Sequence, residues 1–242
     1  MKRTTRPRTL LLAAMLLGVT SASVAAANEG TGPLGVTTQP TPTARNLRVG
    51  ALFDSDHHFC TASVVHSEGH DLIVTAAHCV DDAGGLTFVP GYRDGRAPYG
   101  SWTVTRTYVT DDWKGGQDED SDIAFAVVAP RDGRNVEDVV GANRFAAGRT
   151  TGASVVTVTG YPNSADSPIS CTNRPTAHSR TQQRIDCPDF TSGTSGSPWI
   201  NGYGEVVGVL GGHEAGGTTP DISYSVTLGT AAETLYREAV DP

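Results

Sequence analysis

From Val49 onward the chain is largely a succession of short apolar and β-branched runs separated by turn residues, none of these runs long enough to be a stable helix. The runs fall at 49–53, 59–65, 72–75, 86–89, 102–110 and 123–128, then again at 154–159, 199–200, 205–210 and 222–228. In the last of them Ile222, Tyr224 and Val226 alternate with polar residues, the period of a half-buried strand. This pattern excludes helical bundles and parallel α/β sheets and predicts an all-β sandwich or barrel architecture in two successive units. With about 195 residues in these units, the chain can bury a sizeable core. The tail changes period. Thr230 followed by Glu233 reads as a capping box, and Ala231, Ala232, Leu235, Tyr236 and Ala239 fall on one helical face. A C-terminal helix over about 230–239 is therefore expected to pack on the second unit.

The first residues carry a basic head (Lys2, Arg3, Arg6, Arg8), an apolar core over 10–19 and the small-residue stretch Ala25-Ala26-Ala27, the grammar of an export signal over 1–27. The apolar run is too short to span a bilayer. Residues 28–48, rich in Gly, Pro and Thr, show neither helical nor strand periodicity and read as a linker or propeptide ahead of a domain at 49–242. Loss of the leader removes four of the 18 basic residues and none of the 26 acidic ones, so 14 face 26 in a secreted, extracellular chain. That balance argues against nucleic acid or an anionic membrane as partner. Cys60, Cys79, Cys171 and Cys187 form an even set, and in an oxidising compartment two disulfides are expected. Pairing Cys60 with Cys79 and Cys171 with Cys187 keeps each bridge within one half of the chain. The spacings lack the close Cys-x-x-Cys pair of a zinc site.

Chemistry concentrates in Gly193-Thr194-Ser195-Gly196-Ser197-Pro198. Taken alone this is a turn, but it presents a hydroxyl without bulk around it and backbone N–H groups free to converge on one point. Of seven histidines, His57, His58, His66 and His70 lie in or beside polar loops, whereas His78 ends the apolar run 72–75 within Thr75-Ala76-Ala77-His78-Cys79. A bridge at Cys79 would hold its backbone rigid, as a general base requires. Asp122 is the last acid before the apolar run 123–128 and suits a partly buried partner for an imidazole N–H. The other acids of 111–122 read as a solvated loop, with a calcium site as the rival reading. An α/β-hydrolase is excluded because its acid and histidine follow the serine, and only His213 follows Ser195.

Thr75-Ala76-Ala77-His78-Cys79, Asp122-Ile123-Ala124 and Gly193-Thr194-Ser195-Gly196-Ser197-Pro198, in the order His, Asp, Ser, resemble the secreted trypsin/chymotrypsin-like serine peptidases over about 49–240. The resemblance implies two packed six-stranded antiparallel Greek-key β-barrels, about 49–135 and 136–229, with the site in the cleft between them. It implies a serine endopeptidase acting through His78, Asp122 and Ser195, with an oxyanion hole at the Gly193 and Ser195 N–H groups. No metal or organic cofactor is implied. The partners would be polypeptide substrates and protein inhibitors, and the chain a monomer.

Thr194 stands where many members hold an aspartate that pairs with a freed N-terminal amine, and no Ile-Val-Gly-Gly-like start occurs over 28–49. With Gly160-Tyr161-Pro162, this makes the chain most similar to the bacterial glutamyl-endopeptidase-like (V8-like) branch. The positions that bind a glutamate side chain in that branch are the apolar Phe190 and Leu210, although His213 could approach the same pocket. Asp189 matches the acid that selects Arg or Lys in trypsin-like members, or else caps the turn after Pro188. Bulky Phe190, and Ile222 where open pockets carry glycine, oppose the first reading. Basic residues are slightly favoured over glutamate before the cut. Gly211 and Gly212 are expected to align the substrate backbone as an added strand. The competing readings are a binding module on the same fold and an esterase using the same three residues.

Overall fold

The computed structural model describes residue 1, residues 33–81 and residues 84–241; the export signal and its cleavage site lie outside the described residues. The stretch expected to be a linker carries a first strand, β1 (Thr37–Thr38), too short for any periodicity to show in sequence. Nearby, the Gly35 N–H donates to the Asp186 carbonyl (2.9 Å), and Thr37 Oγ1 to the Pro188 carbonyl (2.6 Å).

The first series of runs forms β2 (Val49–Asp54), β3 (His57–Val64), β4 (Leu72–Thr75), β5 (Leu86–Pro90), β6 (Trp102–Val109) and β7 (Ala124–Val128). They close into an antiparallel barrel in the order β2-β3-β4-β7-β6-β5. Register shifts between Leu52 and Phe53 and between Val104 and Arg106 bend the strands enough to close the ring. Leu52, Val64, Leu72, Phe88, Trp102 and Phe125 belong to one continuous buried cluster. Between β6 and β7 lies α1 (Asp111–Gly116), in the stretch expected to be a solvated loop. Thr110 Oγ1 caps it by accepting from the Trp113 N–H (3.2 Å), and the buried indole of Trp113 anchors it. A second short helix, α2 (Val136–Val140), follows the barrel with Val136 and Val140 buried.

The second series is more open than expected. β8 (Arg144–Phe145), β9 (Val156–Gly160), β10 (Ile169–Asn173), β13 (Pro198–Asn201) and β14 (Glu205–Val209) join β1 in a sheet ordered β1-β10-β9-β13-β14-β8. A second sheet is made of β11 (Thr176–Ala177), β12 (Gln182–Asp186) and β15 (Ile222–Val226). The β14–β8 pair is parallel, a departure from the all-antiparallel expectation. Among the described residues the two sheets meet at a single bridge, Leu210–Ser225, instead of closing as a six-stranded ladder. The Ser225 hydroxyl accepts from the Val209 N–H (2.9 Å) where a closed ladder would place a backbone carbonyl. Val156, Val158, Ile185, Phe190, Trp199 and Leu210 pack between the sheets beside Cys171 and Cys187. Both disulfides are those expected, Cys60–Cys79 and Cys171–Cys187. Among the described residues no helix is long and apolar enough to cross a membrane.

The terminal helix α3 (Thr230–Val240) matches its expected span but not its expected cap or partner. Gly229 is the N-cap, Thr230 is already helical, and Glu233 pairs with Arg237 instead of reaching back. Ala232, Leu235 and Ala239 are buried as the periodicity demands, whereas Ala231 is exposed. The helix packs on the first barrel, with the Tyr236 ring 5.5 Å from Phe125 of β7 and 5.0 Å from Phe145. An aromatic group at that helix position needs a flat apolar partner, and β7 offers one.

His58 is buried beside Phe53, Tyr92 and Tyr161, with ring centroids 5.6, 5.6 and 6.4 Å away, and among the described residues its Nδ1 has no hydrogen-bond partner. Burial holds its pKa below the ordinary value. The unfolded chain therefore binds the proton more tightly, and stability is full above the unfolded value of about 6.5 and falls as pH drops below it. His58→Phe is expected to remove this slope, so the difference in Tm between variant and parent should grow from pH 7.5 to pH 5. A constant difference would contradict the burial argument.

Candidate active site

β4 delivers His78. The strand ends at Thr75 and the chain turns once through the single-turn helix Ala77–Cys79, while Cys79 is bonded to Cys60 of β3. Asp122 follows a second single-turn helix, Glu119–Ser121, whose start is capped by Asp118 Oδ1 accepting from the Asp120 N–H (3.0 Å). Both turns end at the same rim of the first barrel, and the two side chains meet there. Asp122 is 1% exposed and accepts three hydrogen bonds: from His78 Nδ1 (2.7 Å), the His78 N–H (3.0 Å) and the Gly212 N–H (2.7 Å). A carboxylate can only accept, so Nδ1 carries its hydrogen and Nε2 is left with a lone pair.

Ser195 comes from the second unit, on the turn 191–197. Together with His78 it lines a cleft of about 520 Å³, whose walls also include Phe190, Leu210, Asn163 and Glu214. Two backbone hydrogen bonds hold the turn around the serine. Its carbonyl accepts from the Thr61 N–H (2.7 Å), and the Gly196 N–H donates to the Leu210 carbonyl (2.7 Å). Among the described residues neither the Ser195 hydroxyl nor the N–H groups of Gly193 and Ser195 have a protein partner. Gly193 holds φ +97°, and a Cβ there would lie 2.5 Å from the Tyr161 carbonyl, so no other residue fits.

Thr194 shows how the turn is held without a buried acid. Its Oγ1 donates to the Thr191 carbonyl (2.8 Å), and Ser197 Oγ donates to the Thr194 carbonyl (2.6 Å). Ser197 in turn requires Gly160, where a Cβ would come within 2.1 Å of its hydroxyl. Thr61 ties this turn to the first barrel. Its buried Oγ1 donates to the Gly193 carbonyl (3.0 Å) and accepts from the Tyr161 N–H (2.9 Å), while its carbonyl accepts from Thr75 Oγ1 (2.8 Å). Burial pushes the Tyr161 phenol well above its ordinary pKa, so it stays neutral beside the turn. Sequence reasoning missed Thr61, Thr75, Asn163 and Tyr161 as parts of the site. The available signal was a pair of threonines in otherwise apolar strands, at Cys60-Thr61-Ala62 and Val74-Thr75-Ala76.

The residues expected to bind substrate separate into two groups. Phe190 and Leu210 line the cleft; Asp189, Gly211, Gly212, His213 and Ile222 do not. Asp189 sits at a left-handed corner (φ 71°) whose carbonyl accepts from the Thr191 N–H (2.9 Å), in keeping with the turn-forming alternative. The N–H groups of Gly211 and Gly212 are already given to the Tyr224 carbonyl (3.0 Å) and to Asp122, so neither is free to pair with an added strand. The Gly211 carbonyl has no donor among the described residues and remains available. His213 is turned away, with ring centroids 4.8 Å from both His178 and Tyr224 and its Nδ1 3.4 Å from Glu119. Ile222 is committed to the β15–β12 ladder opposite Asp186. The carboxylate that does line the cleft is Glu214. It stands on a loop where both Glu214 (φ 51°) and Ala215 (φ 54°) are left-handed, and its Oε2 accepts from Thr218 Oγ1 (3.1 Å).

A family model described as a trypsin-like peptidase domain matches residues 60–209. Among solved structures, the protease Anisep from Arthrobacter nicotinovorans is similar at 26% identity and a TM-score of 0.75, covering 86% of this chain and 100% of that one. The thermostable serine protease AL20 from an extremophilic microorganism is similar at 27% identity and a TM-score of 0.73, covering 82% and 99%. A Glu endopeptidase shares the fold at 20% identity, with a TM-score of 0.73 over 87% of this chain and 99% of its own. A search of curated proteins finds no significant match. A peptidase-family match across more than half of the chain, on a fold shared with bacterial serine proteases, places this protein in the trypsin-like peptidase family.

Proposed function

We propose that the protein is a secreted serine endopeptidase that cuts polypeptides through an acyl-enzyme. The observation that carries this reading is the cleft itself, where His78, oriented by Asp122, and Ser195 share one wall with two unengaged N–H groups. In the first step His78 Nε2 takes the proton of the Ser195 hydroxyl as its oxygen attacks the scissile carbonyl. The N–H groups of Gly193 and Ser195 hold the oxyanion, and the imidazolium passes its proton to the leaving amine. Water then gives a proton to His78 as its oxygen attacks the acyl carbonyl, and the imidazolium returns that proton to the Ser195 oxygen as the ester bond breaks and the acid is released. No step needs a metal or a cofactor.

The direct test is covalent labelling by a fluorophosphonate together with hydrolysis of a mixed peptide library. Labelling at Ser195 and peptide cleavage support the reading. A folded protein that takes no label would point to a binding module on this fold, and cleavage of esters without peptides to an esterase.

The preferred side chain before the cut is read as basic over glutamate, on a different acid from the one expected in sequence. Among the described residues Glu214 and His78 are the only titratable side chains lining the cleft, and Phe190 and Leu210 add apolar surface to it. A long aliphatic stem ending in a cation suits such a wall. Glu214→Gln is expected to lower kcat/KM for Arg and Lys substrates about fivefold, the scale of a half-exposed ion pair. It should leave Leu substrates unchanged. An equal loss on both classes would sink the assignment.

A further inference from the structure

Outside the cleft, the described residues hold one cluster of metal-competent side chains that the proposed chemistry does not use. His66, His70 and Glu137 each offer a donor atom within 4.8 Å of the other two. They lie on the outer face of the first barrel. His66 and His70 belong to the turn joining β3 to β4, and Glu137 belongs to α2.

The two segments are locked together before any ion arrives. The Glu137 N–H donates to the His70 carbonyl (3.0 Å), Asn135 Nδ2 to the Gly69 carbonyl (2.9 Å), and the His66 N–H to the Asn143 carbonyl (2.9 Å). The side chains are also oriented. His70 Nδ1 lies 2.7 Å from Asp138 Oδ1, an imidazole–carboxylate pairing that leaves Nε2 as a free donor. His66 Nδ1 lies 2.7 Å from Glu137 Oε1, and an ion entering there would replace the shared proton. The ring centroids of the two histidines are 6.0 Å apart. Ordinary surface pairing would account for either His–acid contact alone. It does not account for two imidazoles and two carboxylates converging from two segments fixed by backbone hydrogen bonds.

We propose that His66, His70 and Glu137 form a site for a divalent transition ion, with Asp138 orienting His70. Two imidazoles, one carboxylate and a water make the tetrahedral donor set of zinc, and oxygen ligands are too few for calcium. The site is structural. It clasps the β3–β4 turn to α2, and α3 joins the same point because Tyr236 Oη donates to the His66 carbonyl (2.7 Å). Its distance from catalysis follows from its face of the barrel, since none of its residues lines the cleft.

The test is calorimetric titration of the chelator-treated, mature protein with zinc chloride, after Ser195 has been blocked with a fluorophosphonate so that the cleft histidine is covered. One zinc per chain is expected, with a Tm raised by several degrees at a hundredfold excess over Kd. Calcium chloride should do neither. Asp138→Asn is expected to weaken zinc about 10- to 100-fold, and Glu137→Gln to weaken it at least as much. Cobalt(II) should develop the absorption of a tetrahedral site in the parent and lose it in Glu137→Gln. Should Glu137→Gln, at a half-buried position, fail to fold, Asp138→Asn at its exposed position carries the test. Absence of zinc binding, or equal affinity in the parent and both carboxylate variants, would overturn the proposal and leave ion pairs only.

Discussion

Ser195→Ala is expected to lower turnover of peptide substrates by about 10⁴- to 10⁶-fold while the protein stays folded. Both halves of that result have a structural reason. The hydroxyl makes no hydrogen bond among the described residues, so its removal breaks nothing that holds the turn. The turn is carried by backbone groups, with the Ser195 carbonyl on the Thr61 N–H and the Gly196 N–H on the Leu210 carbonyl, and by the Thr194 and Ser197 hydroxyls. Alanine keeps all of these, and the change in stability should stay within about 0.5–1 kcal/mol. Steady-state hydrolysis and a thermal melt on the same preparation check the two halves together. Hydrolysis within tenfold of the parent would remove Ser195 as nucleophile.

Asp122→Asn should cost about 10⁴-fold in kcat. Three N–H donors converge on the Asp122 carboxylate, two from His78 and one from Gly212. An amide has one oxygen to accept with and an NH₂ that must donate. If the NH₂ faces His78 Nδ1, that nitrogen has to accept, the hydrogen moves to Nε2, and the ring can no longer take a proton from Ser195. In that position the NH₂ also opposes the Gly212 N–H, which shares Oδ2 with Nδ1, and a buried donor loses its acceptor at a cost of about 1–3 kcal/mol. If the amide turns the other way, the NH₂ opposes the His78 backbone N–H while Nδ1 keeps its hydrogen. The first outcome lowers both kcat and Tm, the second Tm alone. Measuring both separates them, and a variant unchanged in both would contradict the role assigned to Asp122.

His78 and Asp122 were legible because each flanks a strand-length run, and Ser195 because it stands in a glycine-rich turn; their order became meaningful through the family resemblance. The bracing around the site was not. Thr61 and Thr75 sit in apolar strands where a sequence pattern records only burial, yet their hydroxyls join the barrel to the serine turn. The same limit explains α1, whose acidic composition reads as a solvated loop until Trp113 is seen to be buried. It also explains which acid lines the cleft. Asp189 and Glu214 both stand at left-handed backbone positions, and only the path of the loop around each determines which lines the cleft.

From its residues alone, the chain is committed to short strands in two series, a helix near the C-terminus, two local disulfides and three side chains suited to acyl transfer. These follow from neighbours along the sequence: period, turn chemistry and the proximity of cysteines within one half. Folding in three dimensions determined the rest. It placed α3 on β7 instead of on the second unit, left the sheets of that unit joined at Leu210–Ser225, and brought Glu214 to the cleft while turning His213 away. Each of these depends on the distance between groups far apart along the chain, and only packing and loop geometry set those distances.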